Sequence, residues 1–436
     1  MNRARLIGAL CAALLSACAR VHAQDYQFLE LAQTEAGYIL QCQYVQDPAH
    51  PAFGAINNTP GVLTRVVPRE NAMAIFGLVF SGELLNDPIY KECAQLAADY
   101  LIRVQDSDGA WFNQYNSASP GSGNADDAES LSKSPAQTAE VMLALNALGF
   151  EGSRYSAMKK SARYLMDCQK NGGNGYLLGG GKAHDGTFRS WRRASDNSYA
   201  YQALKAAEVW ALTANDFRFA IRCSEAARRI LKGIDETLYI KNPYDPDFGV
   251  WHRMVDQDDQ PVEPGHHDWM NYAPQMLNLP CRGANHPRIG RWIHRVLQKE
   301  NGACVWDDHG FQTRESPGYT FEAVLCWRRL SQSQYYIPAL NWALDSGLWQ
   351  VDPDGQAIAG GWIDWNDSAH NLRADGRKRS IDTSFYAIAA YNGGYDFTVV
   401  PAFLRIGYVN PKADPATAPC YLKFKLEFPE EPELSY

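Results

Sequence analysis

The sequence lacks an excess of positive charge, a cysteine pattern for metal or redox chemistry, and a linker between domains. Its 41 Lys and Arg stand against 49 Asp and Glu, giving a net charge of −8. A nucleic-acid partner needs a basic face and is therefore not expected. None of the ten cysteines falls in a Cys-x-x-Cys pattern, so that type of zinc or redox site is not predicted. Without a flexible linker, the 436 residues are interpreted as one large domain.

The apolar stretch at the N-terminus is too short to span a membrane and is typical of an export signal. Apolar residues fill 6–15 and Val21-His22-Ala23 resembles a cleavage site, so 1–23 is predicted to be a signal peptide. Leu15-Ser16-Ala17-Cys18 also has the form of a bacterial lipobox, which would leave Cys18 as a lipid anchor in the outer membrane. Both alternatives stay open, and both place the protein outside the cytoplasm, either secreted, periplasmic or membrane-anchored.

Eight cysteines lie outside this segment. An even number in an oxidising compartment permits disulfides. Several of them stand at core positions of predicted helices, however, so small buried hydrophobic residues are the preferred interpretation. The eight are Cys42, Cys93, Cys168, Cys223, Cys281, Cys304, Cys326 and Cys420.

A short motif recurs along the chain and predicts its architecture. The stretch from Gln105 to Trp111 stands between a predicted amphipathic helix, Cys93 to Arg103, and a second helix from Pro135 to Leu148. Related units stand at 169–176, 248–251, 298–306 and 347–362. Repeats at this spacing indicate a toroid or solenoid of helix pairs.

Six inner helices are predicted to begin on polar residues. Their starts are Pro68-Arg69-Glu70-Asn71, Ser134-Pro135, Asp196-Asn197-Ser198, His266-His267-Asp268, Glu315-Ser316-Pro317 and Asp382-Thr383-Ser384. Capping preferences explain only part of this set, because they do not predict paired His, several Glu and repeated Tyr. Six parallel inner helices would close a ring and bring all six starts to one rim. The predicted fold class is all-α, an (α/α)6 toroid over 24–395, with a partly extended C-terminal segment, 396–436, packed on it.

The motif also resembles one found in known proteins. Gln105 to Trp111 matches the Gln-x-x-x-Gly-x-Trp pattern of terpene-cyclase-like and pectic-acid-lyase-like α/α toroids, and the hairpin count resembles the six-hairpin carbohydrate-active enzymes. The resemblance covers 30–395 and implies an α/α toroid acting on carbohydrate. Asp256-Gln257-Asp258-Asp259 formally matches the acidic motif of proton-initiated terpene cyclases. It precedes the helix start rather than lying on it, so an acidic turn or a weak calcium site is preferred.

The paired histidines are the sharpest local feature of the predicted rim. Histidine acts as a general base or charge neutraliser near neutral pH, and at most one of two adjacent histidines is expected to face the cavity. Structural capping and metal ligation are alternatives, but a metal-ligand spacing is missing, so neither a metal nor a cofactor is predicted. The candidate catalytic residues are His266, His267, Tyr201, Tyr272 and Asp196.

A basic loop at 189–193 supplies the first candidate substrate contacts, Arg189, Trp191, Arg192 and Arg193. A guanidinium can fork onto an anion while the indole stacks on a sugar ring. The alternative is a solvated, salt-bridged loop, which applies equally to the second basic stretch, 373–379. The other candidate substrate contacts are Asn197, Tyr199, Trp269, Glu315, Tyr319 and Asp382.

Two cleavage chemistries fit these residue types, and the twelve Trp and 23 Tyr suit sugar binding. An inverting glycosidase needs two carboxylates about 6.5 to 9.5 Å apart. A β-eliminating lyase needs a group that neutralises the uronate, a base and an acid, which Arg, His and Tyr could supply. The rim acids are Glu70, Glu140, Asp196, Asp268, Glu315, Glu322 and Asp382. The preferred hypothesis is an exported lyase of an acidic, uronate-containing polysaccharide; the alternatives are an inverting glycoside hydrolase and a non-catalytic glycan-binding protein of the cell envelope.

Overall fold

The structure is a computed structural model that describes residues 28–57, 60, 65–117, 128–262, 267–305, 315–346, 362 and 381–397. These ranges contain twelve α-helices and two short antiparallel ribbons. The helices are α1 (28–41), α2 (Pro68–Leu85), α3 (Pro88–Arg103), α4 (Pro135–Ala147), α5 (Gly152–Asp167), α6 (Ala194–Thr213), α7 (Phe217–Gly233), α8 (Ala273–Met276), α9 (Arg288–Val296), α10 (Pro317–Arg329), α11 (Ser333–Asp345) and α12 (Ile381–Tyr391). The ribbons pair β1 (Arg65–Val66) with β2 (Tyr115–Asn116) and β3 (Arg192–Arg193) with β4 (Met254–Val255).

The even-numbered helices form a closed inner ring. Each packs on the next in the order α2, α4, α6, α8, α10 and α12, and α12 packs back on α2. The inner helices are buried nearly all round, whereas the outer helices α3, α5 and α7 bury one stripe, as expected for a layer facing solvent. The predicted all-α (α/α)6 toroid is therefore confirmed.

The recurring glutamine joins neighbouring outer helices. The side chain of Gln105, at the end of α3, donates to the carbonyl oxygens of Gly109 and of Ala157 in α5, at 3.0 Å each. Glutamines 43, 169 and 298 make the same pair of bonds, one to their own loop and one to the next outer helix. Trp111 is fully buried and donates to the carbonyl of Leu101 at 2.7 Å. The motif thus connects neighbouring outer helices and is not a ligand-binding site.

The glycine of this motif has a specific steric role. Gly109 has φ +91°, and a Cβ there would collide with the backbone of Lys160 in α5. Gly54 and Gly302 combine the same features, with φ +88° and +100° and a neighbouring backbone where a Cβ would be. Glycine therefore lets each loop approach the next outer helix closely.

Two inner helices begin at points that differ from the prediction. α6 begins at Ala194, two residues before the predicted Asp196, because the ribbon β3 ends at Arg193 and the helix follows directly. α8 does not begin at the paired histidines: a 3₁₀ turn, Trp269–Tyr272, precedes it, and Asp268 caps that turn by accepting from the backbone N–H of Met270 at 2.8 Å. α8 ends after one turn, where Asn278 has φ +55°.

Several predictions fall outside the described residues, namely the signal peptide, Cys18, His266 and the basic stretch 373–379. The chain divides into two units, Met1–Thr398 and Val399–Tyr436, and the second unit also lies outside them. Seven cysteines lie in the described ranges, and five of them are buried. None of the described helices has the length and apolarity needed to cross a membrane.

Candidate functional site at the rim of the inner ring

Side chains from the first two turns of the inner helices meet at one rim of the ring. Three pairs of helices stand opposite one another, namely α2 with α8, α4 with α10 and α6 with α12. Each pair contributes a pair of side chains to the centre. They are Arg69 with Trp269, Glu140 with Glu322, and Tyr199 with Tyr386. The inner helices are therefore parallel, and their polar starts converge as predicted.

Glu140 and Glu322 occupy equivalent positions on opposite helices. Each is the sixth residue of its helix and follows the same pattern, Ser-Pro-x-x-Thr-x-Glu, at 134–140 and 316–322. In both helices the serine side chain caps the N-terminus and the threonine hydroxyl donates to that serine's carbonyl. The identical first turns set both carboxyl groups at the same depth, and both are buried.

Burial makes both carboxyl groups weak acids. It raises the pKa of Glu140 to about 7, although the charge of Arg69 opposes the shift. Burial also raises the pKa of Glu322 to about 8, again opposed by Arg69 and reinforced by the negative charge of Asp382. Each side chain can therefore hold a proton near neutral pH, which an exposed glutamate does not do.

Arg69 and Asp382 connect the two glutamates. Arg69 Nε lies 3.4 Å from Glu140 Oε1. Its guanidinium lies 5.8 Å from the centre of the Trp269 indole, which comes from the opposite side of the helix ring. The side chain of Arg69 is 34% exposed, so solvent reaches the cluster at this residue. Asp382, in the first turn of α12, is half-buried and raises the pKa of both glutamates. The two glutamates thus respond to the same cation and the same anion.

Two tyrosines, Tyr199 and Tyr386, lie near the axis of the inner ring, next to this cluster. The hydroxyls of Tyr199 and Tyr386 lie 3.2 Å apart, and both rings are fully buried. Phe397 packs edge-on against Tyr199 and against Phe385, and Phe385 also contacts Phe76. Burial raises the pKa of both tyrosines, so the hydroxyls stay protonated and act as hydrogen-bonding groups. Aromatic side chains therefore lie next to the glutamate pair at this rim.

Asp196 belongs to this rim, together with Arg193 and Trp191. Asp196 is buried, and burial raises its pKa, while the charges of Arg193, Arg69 and Arg189 oppose the shift. The guanidinium carbon of Arg193 lies 4.1 Å from the ring centre of Trp191. Gly180 also contacts this indole so closely that a Cβ would collide with it. Trp191 therefore supports Arg193, and its ring is not the free stacking face that the sequence suggested.

Arg192 and Asn197 serve the local fold instead of facing the rim. Arg192 is buried and pairs with Asp259, and it also donates to the carbonyl of Asp256 at 2.8 Å. The acidic turn at 256–259 is thus a partner of this arginine, through the Asp259 carboxylate and two backbone carbonyls. Asn197 accepts from Leu178 N–H at 2.8 Å and donates to Arg193 carbonyl oxygen at 2.9 Å. Neither predicted substrate contact is available to a ligand.

His267 and Tyr201 do not reach the central cluster. His267 Nε2 lies 3.0 Å from Asp247 Oδ2, and its ring packs edge-on against Trp292 of the outer helix α9. Tyr201 is two residues beyond Tyr199, about 200° further round the helix. It faces Glu208 and Cys281, which together with burial raise its pKa to about 12. Helical phase, which the spacing along the chain did not fix, turns Tyr201 outward. His267 lies before the 3₁₀ turn and is paired with Asp247 at the outer layer.

The remaining predicted residues lie beside the cluster with partners of their own. Tyr272 is fully buried and close to Glu322 and Asp268. Glu315 accepts from Asn301 Nδ2 at 2.8 Å, Asp268 lies 2.9 Å from Arg253 Nε, and Arg189 pairs with Glu129 at 2.7 Å. Tyr319 is half-buried in the first turn of α10. Trp269 and Asp382 lie at the centre of the rim.

The central residues that the sequence did not single out are Arg69, Glu140, Glu322 and Tyr386. Glu140 and Glu322 stand among the seven rim acids, and residue type alone does not distinguish them from the other five. The signal was present in the repeated Ser-Pro-x-x-Thr-x-Glu pattern. By contrast, Glu70 affects Tyr38 of α1 and so faces outward. In the described part of the chain, no group of three or more His, Cys, Asp and Glu is arranged to hold a metal ion.

Comparison with solved structures supports the architecture. A D-mannose isomerase matches with a TM-score of 0.58 and 14% identity, over 84% of this chain and 97% of that chain. A cellobiose 2-epimerase from Bacillus thermoamylovorans matches with 0.60 and 9%, over 84% and 100%. A glycosidase in complex with glucose matches with 0.55 and 12%, over 86% and 99%. No protein-family model and no curated protein sequence matches this chain. At such identities the likeness establishes the fold.

Proposed function

We propose that this chain is an exported carbohydrate-active enzyme that hydrolyses glycosidic bonds at the rim of the inner ring. The observation that carries the proposal is the pair of buried glutamates, Glu140 and Glu322, on opposite inner helices and sharing Arg69. A glycosidase needs one carboxyl group that holds a proton and one that ionises. The solved structures of this fold described above include a glycosidase, an isomerase and an epimerase, all named for sugar substrates, which supports this class.

The position of Arg69 suggests how the roles divide. Burial raises the pKa of Glu322, which can therefore hold a proton, so it is assigned as the general acid that protonates the glycosidic oxygen as the C–O bond breaks. Glu140 has a pKa of about 7 and lies beside the Arg69 guanidinium, so its carboxylate is assigned as the base that takes a proton from the attacking water. Water adds to the anomeric carbon from the opposite face. The expected outcome is hydrolysis with inversion.

β-Elimination remains the second candidate, because Arg69 and Arg193 could neutralise a uronate. It would require a base for the proton on C5, for which the sequence suggested His266 or His267, sharing the acid and base roles with a rim tyrosine. His266 lies outside the described residues, and His267 faces Asp247. Burial raises the pKa of Tyr199 and Tyr272, so neither is expected to ionise at neutral pH. Hydrolysis by the glutamate pair is therefore preferred.

The test is incubation of the purified protein with uronate-rich and neutral glycans, followed by product analysis. New reducing ends without ultraviolet absorbance from a C4–C5 double bond, with inverted anomeric configuration by NMR, are expected. That absorbance would establish a lyase instead. Conversion of a free sugar to its epimer or isomer, or binding without products, would also overturn the hydrolytic assignment.

A further inference from the structure

Arg193 stands apart from the other arginines of this rim. Arg189 pairs with Glu129, Arg192 with Asp259 and Arg253 with Asp268. Arg193 makes no ion pair within 4.0 Å among the described residues, although the buried Asp196 is close enough to respond to its charge. Its Nε is buried without a hydrogen-bond acceptor there, as is that of Arg192. A half-buried guanidinium without a close ion pair can accept a carboxylate or sulfate from a ligand.

The ribbon explains why Arg193 differs from its neighbour. Successive residues of a strand point to opposite sides, so Arg192 and Arg193 diverge. Arg192 turns to the carbonyls and carboxylate of the 256–259 turn. Arg193 caps the start of α6, which places it beside Asp196 at the rim. The two arginines therefore have different surroundings despite their adjacency.

The guanidinium of Arg193 is also held in place. It stacks on Trp191 at 4.1 Å, and the indole is itself fixed against Gly180. The backbone of Arg193 pairs with Met254, and its carbonyl accepts from Asn197 at 2.9 Å. A planar guanidinium held this way loses little freedom when it forks onto a carboxylate or sulfate.

We propose that Arg193 is the specificity residue of the rim site and that it binds the anionic group of an acidic sugar, which makes the substrate class an anionic carbohydrate. This inference rests on the proposed function for the location of the site. The nearby cation Arg69 adds to the same positive field, and the glutamates oppose it little while they hold protons. A neutral sugar would leave Arg193 without its partner.

Calorimetric binding to the Glu322→Gln protein tests this without requiring turnover. The probes are oligosaccharides of galacturonate, glucuronate and mannuronate, each paired with its methyl ester, and a sulfated disaccharide as a separate arm. At least one acid form is expected to bind about tenfold or more tightly than its ester, since a forked charge-assisted bond is lost in the ester. Tighter binding of the sulfated probe would identify sulfate as the anion. Equal binding of acid and ester in every pair, with no binding of the sulfated sugar, would overturn the proposal.

Variants locate the effect. Arg193→Gln is expected to abolish the preference for the acid form and leave binding of the ester unchanged, while Arg193→Lys should keep part of it because a point charge replaces the fork. Arg291→Gln, on the exposed surface of α9, is the matched control and should behave as the parent. If Arg193→Gln does not fold, as judged by circular dichroism, Arg193→Lys decides alone. If the Arg193 variants keep the preference for the acid form, the role of Arg193 is refuted even where hydrolysis has been established. If they lose that preference, the role of Arg193 is supported even where no hydrolysis is found.

Discussion

The rim of the inner ring and the surface of α9 each hold titratable side chains, but these face in opposite directions. Glu140 and Glu322 point to the axis and are buried. His267 and Asp247 are half-buried against Trp292 at the outer layer. Glu140, Glu322 and His267 all stand close to the start of an inner helix along the chain. Nearness to a helix start therefore does not locate a site in this fold, and the direction of the side chain does.

The two regions also differ in how their charges are satisfied. Asp247 accepts hydrogen bonds from His267 and from Trp292, at 3.0 and 2.8 Å, and lies 3.5 Å from Arg295, and these lower its pKa. Glu140 and Glu322 have fewer donors, and burial raises their pKa. A satisfied ion pair stabilises the fold, whereas an under-satisfied carboxyl group can transfer a proton.

The largest expected difference concerns activity. Glu322→Gln removes the proposed acid while keeping its shape, and kcat is expected to fall by about 10²- to 10⁴-fold on any glycan that the protein cleaves. His267→Gln, the matched change at the outer region, should leave kcat within about threefold because it touches no reacting atom. Steady-state kinetics on both variants measure this. The reverse order of effects would move the site to α9.

The second difference appears in stability as a function of pH. Glu322 has a folded pKa of about 8, above its ordinary value of 4.5, so the folded state keeps a proton that the unfolded state has lost, and stability falls as pH rises from about 4.5 to about 8. Full ionisation is expected to cost on the order of 5 kcal/mol, since the two pKa values differ by about 3.5 (8 − 4.5) and one pKa unit is about 1.4 kcal/mol. Glu322→Gln should therefore be more stable than the parent at pH 9 and similar at pH 5, by urea unfolding. A parallel pH dependence in both proteins would show that this carboxyl is not the titrating group.

In the outer region, at Asp247, the pH dependence of stability has the opposite sign. Asp247→Asn is expected to lower the free energy of unfolding by about 1 to 3 kcal/mol at pH 7, because it weakens a charge-assisted network. The pKa of Asp247 is lowered, so its stabilisation is present above the unfolded pKa and lost as pH falls through the folded value. Urea unfolding at pH 7 and pH 3 should show the difference shrinking in acid. A variant as stable as the parent at pH 7 would contradict this role.

The smallest difference compares two tyrosines of one helix. Tyr199→Phe loses the contact with the Tyr386 hydroxyl and should lower stability by about 1 kcal/mol and activity severalfold. Tyr201→Phe, on the other side of α6, should change stability by less than about 0.5 kcal/mol and leave activity unchanged. Thermal unfolding and kinetics on the pair decide this. A larger effect of Tyr201→Phe than of Tyr199→Phe would show that the site lies on the Tyr201 side of α6 and not on the proposed side.

Much of the architecture could be predicted from the sequence, since its signals are local. The glutamine of the 105–111 motif recurs because, in the described part of the chain, four junctions between neighbouring outer helices use the same pair of glutamine hydrogen bonds. The count of six inner helices and the convergence of their starts also followed from the spacing. The first turn of α8 did not, because Asp268 caps a 3₁₀ turn there and the histidines lie before it.

The sequence by itself determined some features of the site, and the tertiary structure decided others. The difference is clearest for the paired histidines, the basic loop and the repeated glutamates. The residue types were fixed along the chain, and the repeat established which helix starts share a rim. Which side chains meet depends on helical phase, on the alternation within the ribbon that separates Arg192 from Arg193, and on which charges find partners. These are relations between distant segments. Glu140 and Glu322 are 182 positions apart (322 − 140), and only closure of the ring sets them across one axis with Arg69 beside them.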